Sequence, residues 1–387
     1  MVPKGWEQKK LEELCSLDAP ITYGVLKPGE YFCGGIPLLQ IKDLCDGSVL
    51  SNGLHLIPPE LDYEYRRSRI IKNDILISLV GTIGRVAKYQ SSSEANIHRN
   101  IGRIRSNQHE YLFHYLRSDD VQRGITDSAS GSSQSALNLS TLRSMLILVP
   151  PVIEQKKIAK ILSTWDKAIS VTEKLLTNSQ QQKKALMQQL LTGKKRLLDE
   201  NGVRFSGKWE KKLLSDVADV YQPKTISQSM MSDSGYPVYG ANGVIGFYQE
   251  FNHETEQIAV TCRGSTCGIV NWTQAKSWIT GNAMVINTDN YSYVSKKFLF
   301  YTLNGSDLKY LISGSGQPQI TGNIKTHIIN LPCIEEQQKI ATVLSAADAE
   351  IYTLEKKLAC LRDEKKALMQ QLLTGKRRVK VDEAVAE

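Results

Sequence analysis

Two stretches of the chain place apolar residues at the spacing of a long helix with one buried stripe. Stepping alternately by four and three residues, the first stripe reads Ile158, Leu162, Trp165, Ile169, Thr172, Leu176, Ser179, Lys183, Leu186 and Leu190. The second reads Ile340, Leu344, Ala347, Ile351, Leu354, Leu358, Leu361, Lys365, Leu368 and Leu372. Such a sustained pattern buries a narrow seam against a partner helix. Since one chain carries two nearly equal seams, we expect them to pack on each other as an antiparallel coiled coil.

Prolines and glycines mark where these two helices begin and end. Pro150 and Pro151 precede the first helix and Pro332 the second, at positions where a missing N–H costs nothing. Gly193 and Gly375 lie where a helix C-terminus favours glycine, and the Lys/Arg runs beside them suit the negative end of the helix dipole. Roughly forty residues at 1.5 Å each predict a rod of about 60 Å.

Lys183 and Lys365 occupy the same position of the two seams. A polar residue in a seam can set the register of the helices at a cost in stability. A helix end that frays into solvent would explain the same lysines.

The helices belong to a tandem repeat. KKALMQQLLTGKKR, from Lys183 to Arg196, returns as KKALMQQLLTGKRR, from Lys365 to Arg378, and the same offset pairs Asp166 with Asp348. Trp6-Glu7 corresponds to Trp209-Glu210 at a longer offset, so the first globular part is the longer one. A repeat this long indicates a duplicated domain pair, because solenoid repeats run at roughly 20 to 50 residues.

The globular parts are predicted to be rich in strands. Residues 70–90 cluster β-branched side chains around Gly81 and Gly84, which favours two strands joined by a tight turn, and residues 255–272 have the same shape with one residue inserted. The predicted fold is α+β, two strand-rich domains separated by two long helices with an internal pseudo-twofold repeat. Its domains are 1–150 (first globular domain), 151–196 (central helix), 197–331 (second globular domain), 332–378 (C-terminal helix) and 379–387 (tail).

Loops between the predicted strands combine amide, hydroxyl and basic side chains. Such groups can hold phosphates and contact base edges, although glycine and asparagine also serve simply to make turns. The candidate DNA contacts are Arg85, Lys88, Arg99, Arg103, Arg105, Ser133 and Gln134 in the first half, and Asn242, Arg263, Gln317, Gln319 and Lys325 in the second.

Composition and motifs set limits on other functions. A formal charge of +8 and a pI near 8.9 over 387 residues are modest and do not by themselves prove a nucleic-acid partner. Seven cysteines without a CxxC pair are interpreted as reduced thiols, and no apolar leader or membrane span is evident, so we expect a cytoplasmic protein. Walker A, GxSxG, HExxH and Asn-Pro-Pro-aromatic motifs are all absent from the sequence, and no catalytic or metal-binding residue is predicted.

Taken together, these residues resemble the specificity subunit of a type I restriction-modification system. The resemblance rests on the duplicated PPVIEQKKIAKIL and LPCIEEQQKIATVL openings, the KKALMQQLLTGK endings, the starts at Trp6 and Trp209, and the ILISLVGTIGRV strand pair. It implies two target-recognition domains that each bind one half of a split double-stranded DNA sequence, with helices that set the spacer. It also implies that catalysis lies elsewhere: S-adenosylmethionine on two modification subunits, and ATP with Mg on restriction subunits that join through the complex, with no cofactor bound by this chain and no membrane.

Two alternatives are a self-sufficient nuclease or methyltransferase and a coiled-coil adaptor that binds only proteins. For the modification subunits we expect a docking surface formed by the helices, by the neighbourhoods of Trp6 and Trp209, and by outward apolar residues off the seam. Those residues are Ile161, Leu175, Val343 and Tyr352.

Overall fold

The computed structural model describes residues 2–130, 136–241, 243–314 and 318–380, without the side chains of residues 129 and 130. The chain forms two compact units. Unit 1 comprises Met1–Thr172 and Lys357–Glu387, and unit 2 comprises Glu173–Lys356. Each long helix therefore contributes one part of its length to each unit.

Unit 1 builds most of its strands and short helices before the first long helix. Its elements are β1 (Glu7–Lys10), β2 (Thr22–Tyr23), β3 (Ile36–Leu39), β4 (His55–Ile57), α1 (Pro59–Glu64), β5 (Ile75–Ser78), β6 (Val86–Lys88), β7 (Asn96–Ile97), β8 (Ile101–Ile104), α2 (His109–Leu116), α3 (Asp119–Ser130), α4 (Leu139–Ser144), β9 (Leu146–Val149) and the start of α5 (Val152–Leu190). Its sheets have the orders β1-β9, β2-β8-β5-β6 and β4-β3-β7.

Unit 2 follows the same plan. Its elements are β10 (Glu210–Leu213), α6 (Leu214–Val217), β11 (Asp219–Tyr221), β12 (Tyr236–Gly240), β13 (Gly243–Tyr248), β14 (Ile258–Thr261), β15 (Val270–Trp272), β16 (Trp278–Ile279), β17 (Ala283–Asn287), α7 (Lys296–Asn304), β18 (Ile328–Leu331) and the start of α8 (Ile334–Leu372). Short 3-10 helices occur at Leu11–Leu14, Ile41–Asp43, Arg66–Ser68, Gln228–Met230, Lys309–Leu311 and Gly322–Thr326.

The sheets of unit 2, β10-β18, β11-β17-β14-β15 and β13-β12-β16, match those of unit 1 strand for strand. The correspondence includes direction, because β3 pairs with β7 and β12 with β16 in parallel while the other pairs described are antiparallel. The two predicted strand pairs are confirmed, with Ile75 opposite Lys88 and Ile258 opposite Trp272. The α+β fold with an internal repeat is therefore confirmed.

The core of each unit lies between its four-stranded sheet, one helix of the globular part and both long helices. In unit 1, Leu112 and Leu116 of α2 pack with β5, and Leu162 and Leu372 bring α5 and α8 into the same cluster. Unit 2 repeats this packing, its cluster being centred on Phe298, Leu299 and Tyr301 of α7, with Leu190 and Leu344 from the helices. Apolar burial, at about 25 cal/mol per Å², thus ties the helices to the globular parts.

Both predicted seams are confirmed, since every residue of the two stripes is buried or half-buried. The predicted glycine ends are confirmed too. Gly193 and Gly375 have φ of 69° and 71°, a left-handed conformation that glycine adopts without strain. Beyond them, the Lys195 amide donates to the Gln189 carbonyl and the Arg377 amide to the Gln371 carbonyl, both at 3.0 Å, which satisfies a carbonyl of each last helical turn.

Candidate nucleic-acid interface

In unit 1 three loops meet at one end of the four-stranded sheet. The turn after β5 (79–83), the segment 98–100 and the chain at 136–137 form what we call the first loop cluster. The Leu79 amide donates to the Asn100 carbonyl at 2.8 Å, and the Leu137 amide donates to the Leu79 carbonyl at 2.7 Å. Gly81 has a φ of 76°, which the tight turn requires.

In unit 2 the corresponding loops form the second loop cluster, residues 262–267, 280–282 and 318–320 with the hairpin turn at Ala241. The Cys262 amide donates to the Asn282 carbonyl at 3.0 Å, and the Ile320 amide donates to the Cys262 carbonyl at 3.0 Å. The turn is closed by Gly264, whose φ is 83° and whose amide donates to the Pro318 carbonyl at 3.1 Å.

The two clusters share one backbone hydrogen-bond scheme. Leu79 corresponds to Cys262, and Asn100 to Asn282. In both units the turn residue donates its amide to the asparagine carbonyl of one neighbouring loop, and its carbonyl accepts a hydrogen bond from the other loop. A fixed main-chain frame therefore presents different side chains in the two units. Loops held by a rigid scaffold are common places for binding residues.

Four of the predicted DNA contacts have exposed side chains. Arg99 lies in the first cluster, and Arg263 and Gln319 form a backbone bridge to each other in the second. Lys325 is exposed on the 3-10 helix Gly322–Thr326, close in sequence to the second cluster. The structure thus brings together Arg263 and Gln319, a guanidinium and an amide that can bond to phosphates or base edges.

Three predicted contacts are held in bonds within unit 1; two of them are buried, so the prediction is corrected for Lys88 and Arg103, while Arg105 is half-buried. Lys88 is buried in β6 and pairs with Glu110 at 3.0 Å. Arg103 is buried in β8, donates to the Pro20 carbonyl at 2.8 Å, and has a pKa lowered by burial. Arg105 binds the Asp74 carboxylate through two bonds of 2.8 and 2.7 Å. Lys88 and Arg103 are therefore not available to DNA, and the Arg105 guanidinium is engaged by Asp74.

Arg85 is less exposed than the four accessible candidates and less buried than Lys88 and Arg103. It is half-buried and donates to the Leu44 carbonyl at 2.9 Å, with its guanidinium in a cleft that also includes Lys42 and Arg117. The remaining candidates, Ser133, Gln134, Asn242 and Gln317, lie outside the described residues. For these, as for the exposed residues, DNA contact stays a prediction.

The seam lysines are held in ion pairs. In unit 1, Lys365 of α8 pairs with Asp166 of α5 at 2.5 Å, and in unit 2 Lys183 of α5 pairs with Asp348 of α8. Each pair joins the late part of one helix to the early part of the other, which is antiparallel packing. Both lysines lie well inside their helices, so the register interpretation holds and the frayed-end alternative is wrong.

An aromatic residue of each globular part completes these seam sites. In unit 2 the Tyr301 hydroxyl donates to Asp348 at 2.6 Å. In unit 1 the same place is taken by His114, whose Nε2 bonds to Ser163 at 3.0 Å. Burial is the main cause that lowers the pKa of His114 to about 3, against the opposing effect of Asp166, so this imidazole is neutral.

A second repeated site was missed by the sequence interpretation. In unit 1 the buried Glu154 accepts two bonds of 2.7 Å from Arg378 and one of 3.1 Å from Trp6 Nε1. In unit 2 an equivalent site joins Glu336, Arg196 and Trp209: the arginine bonds measure 2.6 and 2.7 Å and the indole bond 3.2 Å. We call these the Trp-Glu-Arg clasps. The signal was present, because all three residue types recur in both halves.

The clasps lie within the predicted docking surface, which stays a prediction. Trp6 is buried and Trp209 is half-buried, and both indole N–H groups are bound by glutamates of the helices. Ile161 and Val343 also pack against the cores of their own units. Of the outward apolar residues, Leu175 and Tyr352 remain exposed, both in unit 2.

The structure also bears on metal sites and membrane-spanning helices. Among the described residues, no group of three or more His, Cys, Asp and Glu side chains is placed to hold a metal ion. None of the helices in the described part of the chain combines the length and apolar character that a membrane span needs.

Comparison with known proteins links both units to one family. A family model described as "Type I restriction modification DNA specificity domain" matches residues 3–178 and 206–360. The chain is 30% identical to the EcoBI type I restriction enzyme specificity subunit of Escherichia coli over 49% of this chain and 41% of that protein. It is 27% identical to the putative MjaX specificity subunit of Methanocaldococcus jannaschii over 98% of this chain and 95% of that protein.

A solved structure shares the fold. It is the crystal structure of a type I restriction-modification system S subunit from M. genitalium, with a TM-score of 0.67 at 15% identity, covering 98% of this chain and 97% of that one. At this level of identity the likeness concerns the fold.

Proposed function

This chain belongs to the family of type I restriction-modification DNA specificity domains, and we propose that each of its units binds one half of an asymmetric, two-part DNA sequence. Its role is that of a DNA sequence-specificity subunit. The second loop cluster contributes contacts to one half-site and the first loop cluster contacts to the other.

One observation carries this proposal: the same main-chain frame presents different side chains in the two clusters. Arg99 is the exposed cation of the first cluster, whereas Arg263 and Gln319 lie side by side in the second. Arginine suits the O6 and N7 acceptors of guanine, and glutamine can bond to both N6 and N7 of adenine. Two equivalent frames with unequal side chains would select unequal half-sites.

We propose that the chain supplies sequence recognition and that catalysis occurs on partner subunits. Family membership supports a complex with modification and restriction subunits. In this proposal S-adenosylmethionine binds to two modification subunits, and ATP and Mg bind to restriction subunits, while this chain holds no cofactor. Methyl transfer by the purified chain alone would contradict this division of labour.

The two-reader proposal is tested by mapping methylated adenines in cells that express the chain with the modification subunit of its own genome. Replacing residues 210–330 with the same segment of a relative should change one half-site and leave the other intact. Arg263→Ala should weaken or relax the same half-site, whereas Lys211→Ala, an exposed cation on β10 outside the loop cluster, should leave the sequence unchanged. A change in both half-sites after the segment exchange would refute the proposal.

The protein-binding alternative makes a different prediction for the same complex. If the chain were an adaptor, the assembled complex would protect no DNA sequence and methylation would follow no two-part motif. A common motif at all methylated sites would exclude the adaptor.

The repeat also motivates the proposal that helix length sets the spacer between the half-sites. Inserting one heptad before Gln182 and a matching heptad before Glu364 keeps both seams and both Lys-Asp pairs, because seven residues restore the same stripe in each helix. We expect a longer spacer and unchanged half-sites in the methylation map. An unchanged spacer would contradict the proposal.

A further inference from the structure

The β12–β13 hairpin of unit 2 exposes three apolar side chains of β13. Val244 is 48% exposed, Ile245 is 46% exposed and Phe247 is 38% exposed. Tyr239 pairs with Val244 and Val238 with Gly246, so Ile245 is the extra residue of a β-bulge next to Val244. Exposed aliphatic side chains on a projecting ribbon are typical of a binding surface.

The hairpin turn is fixed to the second loop cluster. Both Thr261 Oγ1 and Thr266 Oγ1 donate to the Ala241 carbonyl, at 2.5 and 3.2 Å. Thr261 ends β14 and Thr266 belongs to the turn that carries Arg263. The exposed aliphatic residues are therefore continuous with the residues that we propose to contact DNA.

The position of Ile245 is also restrained. Its side chain lies across Gly240 of the opposite strand, so closely that a Cβ at Gly240 would come within 2.8 Å of it. A glycine at this place makes room for Ile245 to pack on the backbone. An aliphatic group held in one place loses little freedom on binding, which favours recognition.

Charge argues for bases over phosphates as the partner of this ribbon. From Tyr236 to Gln249 the sequence contains no Asp, Glu, Lys or Arg. The ribbon therefore cannot neutralise phosphates, while Arg263 beside its turn can do so. The major groove of B-DNA admits a two-stranded β-ribbon, and its apolar feature is the C5-methyl group of thymine.

Unit 1 has no such ribbon at the corresponding place. Its strands β3 and β4 are joined by residues 40–54, which include the 3-10 helix Ile41–Asp43, whereas β12 and β13 are joined by residues 241–242. His55 and Leu56 of β4 are half-buried, and the Phe32 amide donates to the Leu56 carbonyl at 3.0 Å along that strand. The exposed apolar hairpin therefore distinguishes the DNA-binding end of unit 2 from that of unit 1.

We propose that the β12–β13 hairpin enters the major groove of the unit 2 half-site and that Val244 and Ile245 contact thymine methyl groups there. These two residues then determine specificity alongside Arg263. The inference rests on the proposed function, because it assumes that unit 2 binds one DNA half-site.

The test uses the full complex with the modification subunits of the same genome and compares wild type with Val244→Ser/Ile245→Ser. The matched control is Val203→Ser, which changes a residue that is 62% exposed in unit 2 outside the loop cluster. Binding is measured on duplexes that carry the mapped target with thymine or with uracil in the unit 2 half-site. Uracil differs from thymine only by the missing methyl group.

We expect uracil to weaken binding of wild type and of the Val203→Ser control by about fourfold for each contacted methyl group, the effect of burying one such carbon. The Val244→Ser/Ile245→Ser complex should bind both duplexes equally, and its methylation map should relax at the unit 2 half-site alone. Wild-type binding that ignores uracil would overturn the proposal. Equal sensitivity of wild type and the double variant would overturn it as well.

Further measurements distinguish DNA contact by the hairpin from a protein interface and from failure of the proposed function. An unchanged motif with a reduced yield of complex would overturn the proposal and assign the ribbon to a protein interface. A benzophenone side chain at position 244 gives a readout that needs no loss of binding: crosslinking to the thymine strand supports the proposal, and none there refutes it. Absence of any two-part motif in wild type would instead be the failure of the proposed function.

Discussion

The Trp-Glu-Arg clasps allow the same perturbation to be made twice in one chain. Glu154 and Glu336 are almost fully buried, with side-chain exposures of 2% and 0%. Their arginines differ, because Arg378 is 44% exposed and Arg196 is 20% exposed. Removing either arginine leaves a buried carboxylate with one remaining partner among the described contacts, the tryptophan N–H.

The exposed fractions of the two arginine side chains determine how much stability each substitution should cost. Breaking a buried pair by removing one partner costs about 3–5 kcal/mol, because a buried charge loses its compensation. Arg196→Ala should therefore lower the free energy of opening of unit 2 by about 3 kcal/mol. In unit 1 water already screens Arg378, so Arg378→Ala should cost only about 1–2 kcal/mol. Replacing the carboxylate by an amide, Glu336→Gln, should restore part of the loss in the Arg196→Ala background, since no charge is then left buried.

Hydrogen exchange of backbone amides measures each unit separately. Amides of the β10–β18 pair should lose about a hundredfold of their protection in Arg196→Ala, while β1 and β9 keep theirs. Arg378→Ala should lower the protection of β1 and β9 by a smaller factor and leave the β10–β18 pair unchanged. Equal losses of stability in the two arginine variants would contradict this expectation, and so would a Glu336→Gln change that destabilises Arg196→Ala further.

Two further predictions concern acid stability and the helix caps. Since the folded-state pKa of His114 is about 3, the unfolded chain takes up a proton near pH 6.5 that the folded chain refuses. Stability should then fall with pH below about 6.5, by up to 1.4 kcal/mol per unit, and His114→Gln should reduce this slope in urea titrations at pH 5 and 7. For the caps, Gly193→Ala should cost about 1 kcal/mol of left-handed strain. Gly375→Ala should cost more, since its Cβ would lie 2.4 Å from Pro3 Cγ, and thermal melting of the two variants checks the order.

The helices were predictable because their signal is local and repeated. A seam of apolar residues at alternating spacing, ended by glycine, is specified by side chains a few positions apart. The packing of the two helices on each other could also be predicted, because the chain carries two nearly equal seams. The ion pairs of Lys183 and Lys365 could be anticipated only as polar seam residues, since their acidic partners lie on the other helix.

The candidate DNA contacts were harder to predict because loops and strand ends look alike in sequence. Gly102 lies in β8 between the predicted contacts Arg99 and Arg103, and a Cβ there would come within 3.2 Å of Ile77. The glycine permits close packing and does not mark a turn. Arg103 therefore belongs to a buried strand, and only Arg99 of this stretch lies in the loop cluster.

Repetition within the chain separates framework residues from candidate recognition residues. The tryptophan and glutamate that recur in both halves join the globular parts to the helices, and the recurring lysine and aspartate join one long helix to the other. Exposed residues of the loop clusters do not recur: Arg263, which follows Cys262, corresponds to Val80, which follows Leu79. Because a framework bond needs both partners, its residues can change only together, whereas an exposed loop residue can change alone. Two half-sites can therefore diverge on one fold, and the connection between β12 and β13, which is shorter than that between β3 and β4, is one such divergence.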